Sequence, residues 1–102
     1  MQKFNVICEL VVVTYDMGPG LSPFVAQVIK LIREDEKVTN MLTPMGTILE
    51  GEWKDVIALV ERIFTRFAPE CERLGITLRV DYRRSKTGRI KGKVQAVEEK
   101  LA

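Results

Sequence analysis

The chain has 102 residues, of which 46% are hydrophobic and 29% charged, and it carries a net charge of +2 with no histidine. This size and balance fit one globular domain, residues 1–102, and no apolar run is long enough to cross a bilayer. The lack of histidine excludes Ser-His and Cys-His nucleophile pairs and histidine-ligated zinc, and two cysteines alone cannot make a four-ligand zinc site.

The first predicted element is a β-strand over residues 4–14 with apolar side chains on both faces. One face holds, at period two, Phe4, Val6, Cys8, Leu10 and Val12. The other face mixes apolar with polar residues, namely Asn5, Ile7, Glu9, Val11 and Val13. Glu9 interrupts the apolar run and no small-residue cleavage site follows it, so we expect a cytoplasmic protein. In that reducing compartment Cys8 and Cys71 should stay unpaired.

A loop containing Gly18, Pro19 and Gly20 leads into the first helix. Ser22 is predicted to cap this helix, with Pro23 in the first helical position. One apolar stripe runs along it, formed by Phe24, Val25, Val28, Ile29, Leu31 and Ile32. Residues 35–37 end the helix, and two short strands over 38–43 and 46–50 then predict a hairpin.

The strongest helical pattern begins at Glu52 and ends near Pro69. Its apolar residues recur at spacings of three and four and are Trp53, Val56, Ile57, Val60, Ile63, Phe64 and Phe67. Trp53 lies on this stripe, so we expect its side chain to lie in the core. A strand follows over residues 76–83, and a last helix aligns on one face Ile90, Val94, Val97 and Leu101.

The order of elements predicts an α+β fold, the ferredoxin-like βαββαβ sandwich with an additional C-terminal helix. In that architecture two helices cover one face of a four-stranded antiparallel sheet, and the other face meets solvent or another subunit. The apolar residues on the second face of the first strand favour pairing with another subunit.

The segment TPMGTILEGEW, residues 43–53, is the first place to look for function. Gly46, between Thr43 and Thr47, allows the backbone to turn tightly or to approach a ligand closely. Spacing alone favours a simpler role, in which Pro44 and Gly46 shape the corner of a hairpin.

Several segments together resemble the small ferredoxin-like thiamine-binding proteins. The matching segments are Glu9, Leu21-Ser22-Pro23-Phe24, Thr43-Pro44-Met45-Gly46-Thr47, Glu50-Gly51-Glu52-Trp53, VDYRR at 80–84 and KVQAVEEKL at 93–101. They span nearly the whole chain. The resemblance implies a non-enzymatic protein that needs no cofactor or metal, binds thiamine or its hydroxymethylpyrimidine moiety, and assembles as two dimers in a homotetramer.

The resemblance also implies a set of ligand-binding residues: Glu9, Ser22, Phe24, Thr43, Met45, Gly46, Thr47 and Glu50. An aminopyrimidine requires a carboxylate or carbonyl for its amine and a hydroxyl or amide for its ring nitrogen. Glu9, Ser22 and Thr47 supply those groups. A thiazolium carries a fixed positive charge, which the aromatic face of Phe24 or Trp53 or the carboxylate of Glu50 can stabilise, although a core position is favoured for Trp53.

Two other functions compete with ligand binding. Residues 83–93, RRSKTGRIKGK, contain six basic residues and no acidic one, which is compatible with nucleic-acid or anion binding. However, the aromatic-rich strands typical of RNA recognition on this fold are missing, so a solvated loop is favoured and a nucleic-acid partner is not expected. An enzyme that relies on Glu9 and Glu50 ranks last, because their separation cannot be obtained from sequence.

Overall fold

The computed structural model describes residues 3–16, 18 and 20–102. Within these residues lie four strands, three α-helices and one short 3-10 helix. They are, in chain order, β1 Asn5–Thr14, α1 Ser22–Arg33, β2 Thr39–Thr43, β3 Gly46–Glu52, α2 Trp53–Phe67, the 3-10 helix Ala68–Glu70, β4 Leu74–Tyr82 and α3 Arg89–Leu101. The strands form one antiparallel sheet in the order β2-β3-β1-β4. This confirms the predicted ferredoxin-like fold with an added C-terminal helix. Among the described residues, no helix is both long and apolar enough to span a membrane.

The hydrophobic core lies between the sheet and the pair α1 and α2. Alternation along β1 decides which side chains reach it, because every second residue points toward these helices. The largest fully buried side chains are Phe67, Leu10, Ile32, Leu49, Leu59, Ile63 and Val56, and Val6, Cys8 and Phe24 are buried with them. The rings of Phe24 and Phe67 meet edge to face with centroids 5.3 Å apart, which fixes α1 against α2.

The opposite face of the sheet, here called the open face, carries the other half of β1. Its register places Glu9 between Ile48 of β3 and Arg79 of β4, and Ile7 between Glu50 and Asp81. The start of α3 covers Glu50, which is only 7% exposed. The open face is therefore partly covered by a helix of the same chain, whereas its β1 residues Val11 and Val13 remain half-buried.

Two details of the predicted helices are wrong. Ser22 is the first residue of α1 rather than its cap, because Leu21 already has helical angles and its carbonyl accepts the Val25 N–H at 2.9 Å. No side chain caps this helix. Trp53 is 45% exposed. It is the first residue of α2, and the buried residues of this helix begin only at Val56. The part of the predicted loop at Pro19 lies outside the described residues.

Gly46 is required by a close backbone approach. A Cβ added at this position would lie 3.0 Å from the Leu10 carbonyl oxygen and 3.2 Å from Cγ2 of Val11. Contacts this short against the backbone of a central strand cannot relax by rotation of a side chain. The hairpin is thus packed directly against β1.

We predict that Gly46→Ala lowers the free energy of unfolding by about 1–3 kcal/mol, because overpacking forces β1 and the hairpin apart. Urea denaturation measures the change. The matched control is Gly20→Ala, since a Cβ at Gly20 meets nothing within 4 Å. Equal stability of the two variants would contradict the close approach.

Candidate functional site

The turn between β2 and β3 is fixed by the side chain of Thr43. Its hydroxyl donates to the Gly46 carbonyl oxygen at 2.8 Å and accepts the Gly46 N–H at 3.1 Å. The N–H of Met45 also points to this oxygen, at 3.3 Å. These bonds replace backbone pairing within the turn, so Met45 projects outward while Gly46 stays close to β1.

A small cavity of about 160 Å³ lies between this turn, β1 and α1. We call it the hairpin cavity. Its walls are mostly apolar and come from residues 10–13, from α1 through Val25 and Ile29, and from the hairpin residues 42–47. The side chain of Thr47 is buried here. Among the described residues, its hydroxyl forms no hydrogen bond, although every side-chain polar atom that is fully buried there has a hydrogen-bond partner. The Thr47 oxygen thus keeps access to the cavity.

A longer groove of about 890 Å³ continues outward along α1. This α1 groove shares four wall residues with the hairpin cavity: Val25, Ile29, Leu42 and Pro44. Ser22 lies at the end near the turn, whereas Lys30, Arg33 and Glu34 lie at the other end. A small, mostly apolar cavity therefore leads into a wider groove that has three charged side chains at one end, and apolar walls with a few polar groups are typical of small-molecule sites.

The predicted ligand residues do not all meet at this site. Five of the eight line the hairpin cavity or the α1 groove, namely Ser22, Thr43, Met45, Gly46 and Thr47. Phe24 is buried in the core against Phe67. Glu9 and Glu50 lie on the open face, on the far side of the sheet. The sheet itself separates these two carboxylates from the hairpin cavity.

Glu9 lines a recess of about 610 Å³ between α3 and the open face. Its carboxylate pairs with the guanidinium of Arg79 on the neighbouring strand at 3.4 Å. The floor of the recess is apolar and includes Ile7 and Ile48, and Val94 of α3 forms part of its wall. Such a recess between a helix and half a sheet face is suited to burying further apolar surface.

Glu50 anchors α3 to the sheet. Its carboxylate accepts the N–H groups of Arg89 at 2.9 Å and Ile90 at 3.2 Å, and the Asn5 amide donates to it at 2.9 Å. Burial raises the pKa of Glu50, but these three hydrogen bonds outweigh burial and hold its pKa below the ordinary value. Glu50 thus supplies, from β3, the cap that α3 lacks in its own sequence, where Gly88 precedes the helix.

The basic segment 83–93 is not simply a solvated loop, because its second half forms the start of α3. Arg89 is buried and pairs with Asp81, and Lys93 donates to the same carboxylate at 2.9 Å. Hydrogen bonds from Lys93 and then Arg89 lower the pKa of Asp81. Two of the six basic residues therefore neutralise a carboxylate of β4 and are not available to an external phosphate.

Sequence reasoning missed the outer wall of the site. Leu42 is half-exposed on an edge strand, and Lys30 and Arg33 lie in the last turn of α1, outside its apolar stripe. The register of α1 against the hairpin, which brings them together, leaves no signal in local sequence. Among the described residues, no cluster of His, Cys, Asp and Glu side chains could hold a metal ion.

Comparisons with known proteins agree with this fold and these motifs. The family profile described as thiamine-binding protein matches residues 8–98. A relative from Staphylococcus xylosus, the UPF0045 protein in the glkA 3′ region, is 34% identical over 88 residues, covering 82% of each chain.

Two solved structures are similar to this chain. The hypothetical protein MJ1052 of Methanocaldococcus jannaschii has a TM-score of 0.84 at 22% identity, covering 93% of this chain and 97% of its own. TM0486 of Thermotoga maritima, for which a role in thiamine biosynthesis or salvage has been suggested, has a TM-score of 0.75 at 20% identity, covering 89% of this chain and 98% of its own. At these identities the two structures support the fold alone.

We predict that Glu50→Gln loosens α3, because an amide accepts the helix N–H groups less strongly than a carboxylate. The expected loss is about 1–3 kcal/mol of unfolding free energy, with faster amide hydrogen exchange over residues 89–94. The control is Glu52→Gln, whose ion pairs with Lys3 and Lys54 are solvent-exposed and should contribute less than about 1 kcal/mol.

The same anchor predicts a pH dependence. Since the pKa of Glu50 is lower in the folded than in the unfolded chain, its stabilisation is complete above the unfolded value of about 4.3 and is lost as the pH falls through the folded value. The wild type should therefore lose stability more steeply than Glu50→Gln below about pH 4. Parallel acid titrations of the two proteins would contradict this role for Glu50.

Proposed function

The chain belongs to the thiamine-binding protein family, as its motifs predicted, and on this premise we propose that it binds thiamine or its hydroxymethylpyrimidine moiety in the hairpin cavity. The observation that carries the proposal is the mostly apolar cavity beside Pro44-Met45-Gly46-Thr47, whose walls include Thr47, a residue that is only 5% exposed and whose hydroxyl is free to bind a ligand. Family membership and the local geometry thus converge on one segment.

The cavity can contact both the ring faces and the polar ring edge of a substituted pyrimidine. A flat heteroaromatic ring gains from apolar walls such as Val25 and Ile29, and its ring nitrogen requires a hydrogen-bond donor, which Thr47 provides. The exposed side chain of Met45 can close over the ring, because an unbranched thioether adapts to aromatic surfaces. The hydroxymethyl or thiazolium substituent then extends into the α1 groove.

The remaining predicted residues have other roles in this proposal. Thr43 and Gly46 position the turn, since the Thr43 hydroxyl is already engaged and Gly46 touches β1. Phe24 supports α1 from the core. Glu9 and Glu50 act on the opposite face, in an ion pair and in anchoring α3.

We further propose that binding occurs without catalysis, in the cytoplasm. Glu50 accepts three hydrogen bonds and Glu9 is ion-paired, so neither carboxylate is arranged as a general base for a ligand in the hairpin cavity. Cys8 is buried with its pKa raised by burial to about 11, which makes it a poor nucleophile. Both cysteines are free thiols, as expected in a reducing compartment. Storage, sensing or delivery of the vitamin would fit these properties.

The proposed functional unit is a homo-oligomer, with two dimers joined as a tetramer. The apolar stripe of α3 supports this proposal, since Val94, Val97 and Leu101 are 56%, 58% and 74% exposed. Val94 of this stripe lines the recess on the open face together with the half-buried Ile7, and Val11 lies on the same face of β1. Neighbouring apolar surfaces of this kind are uncommon on monomers and are typical of subunit interfaces.

We predict that isothermal titration detects binding of thiamine, hydroxymethylpyrimidine or both. Thr47→Val keeps the side-chain shape and removes the hydroxyl, so it should weaken binding by about 0.5–1.5 kcal/mol. The control Thr65→Val makes the same change at an exposed position of α2. Absence of heat and of thermal stabilisation with both ligands at millimolar concentration would refute the function, and unchanged affinity in Thr47→Val would remove Thr47 from the site.

Light scattering should show a mass above the 11.6 kDa of one chain. Val11→Lys and Val97→Lys each place an unpaired charge in the proposed interface and should shift the protein toward smaller species. Gln95→Lys introduces the same charge on the exposed surface of α3 outside the apolar stripe and should leave the mass unchanged. A monomeric wild-type protein would refute this assembly.

A further inference from the structure

We propose that the site takes a phosphate ester of its pyrimidine ligand and that Lys30 and Arg33 hold the phosphate in the α1 groove. This inference rests on the proposed function and names the chemical class of its ligand. Its basis is that the hairpin cavity and a cationic stretch of surface share the same walls.

The geometry places a phosphate within reach of both cations. Ile29 forms part of both the hairpin cavity and the α1 groove, and Lys30 and Arg33 follow it on the same helix. Four residues of helix advance by about 6 Å, so Arg33 lies little more than one turn beyond the cavity wall. The long side chains of Lys30 and Arg33 can span this distance toward a substituent that leaves the cavity along the groove.

Among the described residues, the two cations form no ion pair, whereas the other arginines of the helices and strands do. Within the helices and strands of the described residues, the other arginines each pair with a carboxylate: Arg62 with Asp35, Arg66 with Glu70, Arg79 with Glu9 and Arg89 with Asp81. In the same part of the chain, neither Lys30 nor Arg33 forms an ion pair. Lys30 and Arg33 lie in the last turn of α1, where positive charge complements the helix dipole. That interaction alone does not explain why a groove lies beside them.

The charged side chains of the groove favour an anionic over a cationic substituent on the part of the ligand that lies there. Lys30, Arg33 and Glu34 together leave one net positive charge at this end of the groove. A phosphate monoester gains from the planar guanidinium fork of Arg33 and the ammonium of Lys30. Glu34 lies beside them and can accept from the same cations when no ester is bound.

The test compares ligands that differ only by the phosphate. Isothermal titration is carried out with hydroxymethylpyrimidine and its monophosphate, and with thiamine and its monophosphate, in a buffer free of phosphate. We expect each ester to bind about tenfold more tightly than its parent, with the advantage shrinking as the salt concentration is raised from low to physiological and beyond.

The double variant Lys30→Gln/Arg33→Gln should lose this advantage and bind the unphosphorylated ligands as the wild type does. The charge-matched control is Arg84→Gln/Lys100→Gln, which changes two exposed basic residues outside the groove. This control should keep the tighter binding of the phosphate esters.

Each result has a distinct meaning. Equal affinity for ester and parent overturns this inference and leaves the proposed function standing, whereas failure of all four ligands to bind overturns the proposed function itself. A tighter ester whose advantage survives in Lys30→Gln/Arg33→Gln overturns the assignment of the phosphate to these two residues.

Discussion

The structure depends on β1, which is paired on both sides and carries apolar residues on both faces. One face joins α1 and α2 in the core through residues such as Val6 and Leu10. The other face, with Ile7 and Val11, lies toward α3 and the solvent. Because side chains alternate along a strand, a one-residue slip in pairing would exchange these faces. The register of β1 against β3 and β4 therefore determines both the core and the open face.

This alternation also explains why the predicted ligand residues separate. Glu9 points to the open face, while Leu10, the next residue, lines the hairpin cavity on the helical side. Glu50 and Thr47 are separated in the same way on β3. Sequence motifs identify candidate residues, but they do not show on which side of the sheet each residue lies. That requires the strand register. The hydroxyl-bearing residues Ser22, Thr43 and Thr47 therefore lie at the hairpin cavity or the α1 groove, whereas the carboxylates of Glu9 and Glu50 stabilise the open face.

Much of the fold was predictable because local patterns are strong where one face of an element is buried. The alternation in β1 and β4 and the stripe beginning at Val56 each specify an element without knowledge of its neighbours. The errors at Ser22 and Trp53 lie at helix starts, where geometry outside the helix determines the cap and the burial. The cap of α3 by Glu50 joins residues 39 positions apart in sequence, so no local pattern could reveal it.

The proposed binding site and the proposed interface meet at Val11. Its side chain occupies the space into which a Cβ at Gly46 would point, 3.2 Å from that position, and belongs to the half-buried face of β1 toward which a partner subunit would pack. It also lines the hairpin cavity. A subunit packed on the open face would therefore restrict Val11, and through it the turn carrying Met45 and Thr47. Since a rigid pocket loses less conformational freedom when it binds a small ligand, assembly on one face of the sheet would strengthen binding on the other.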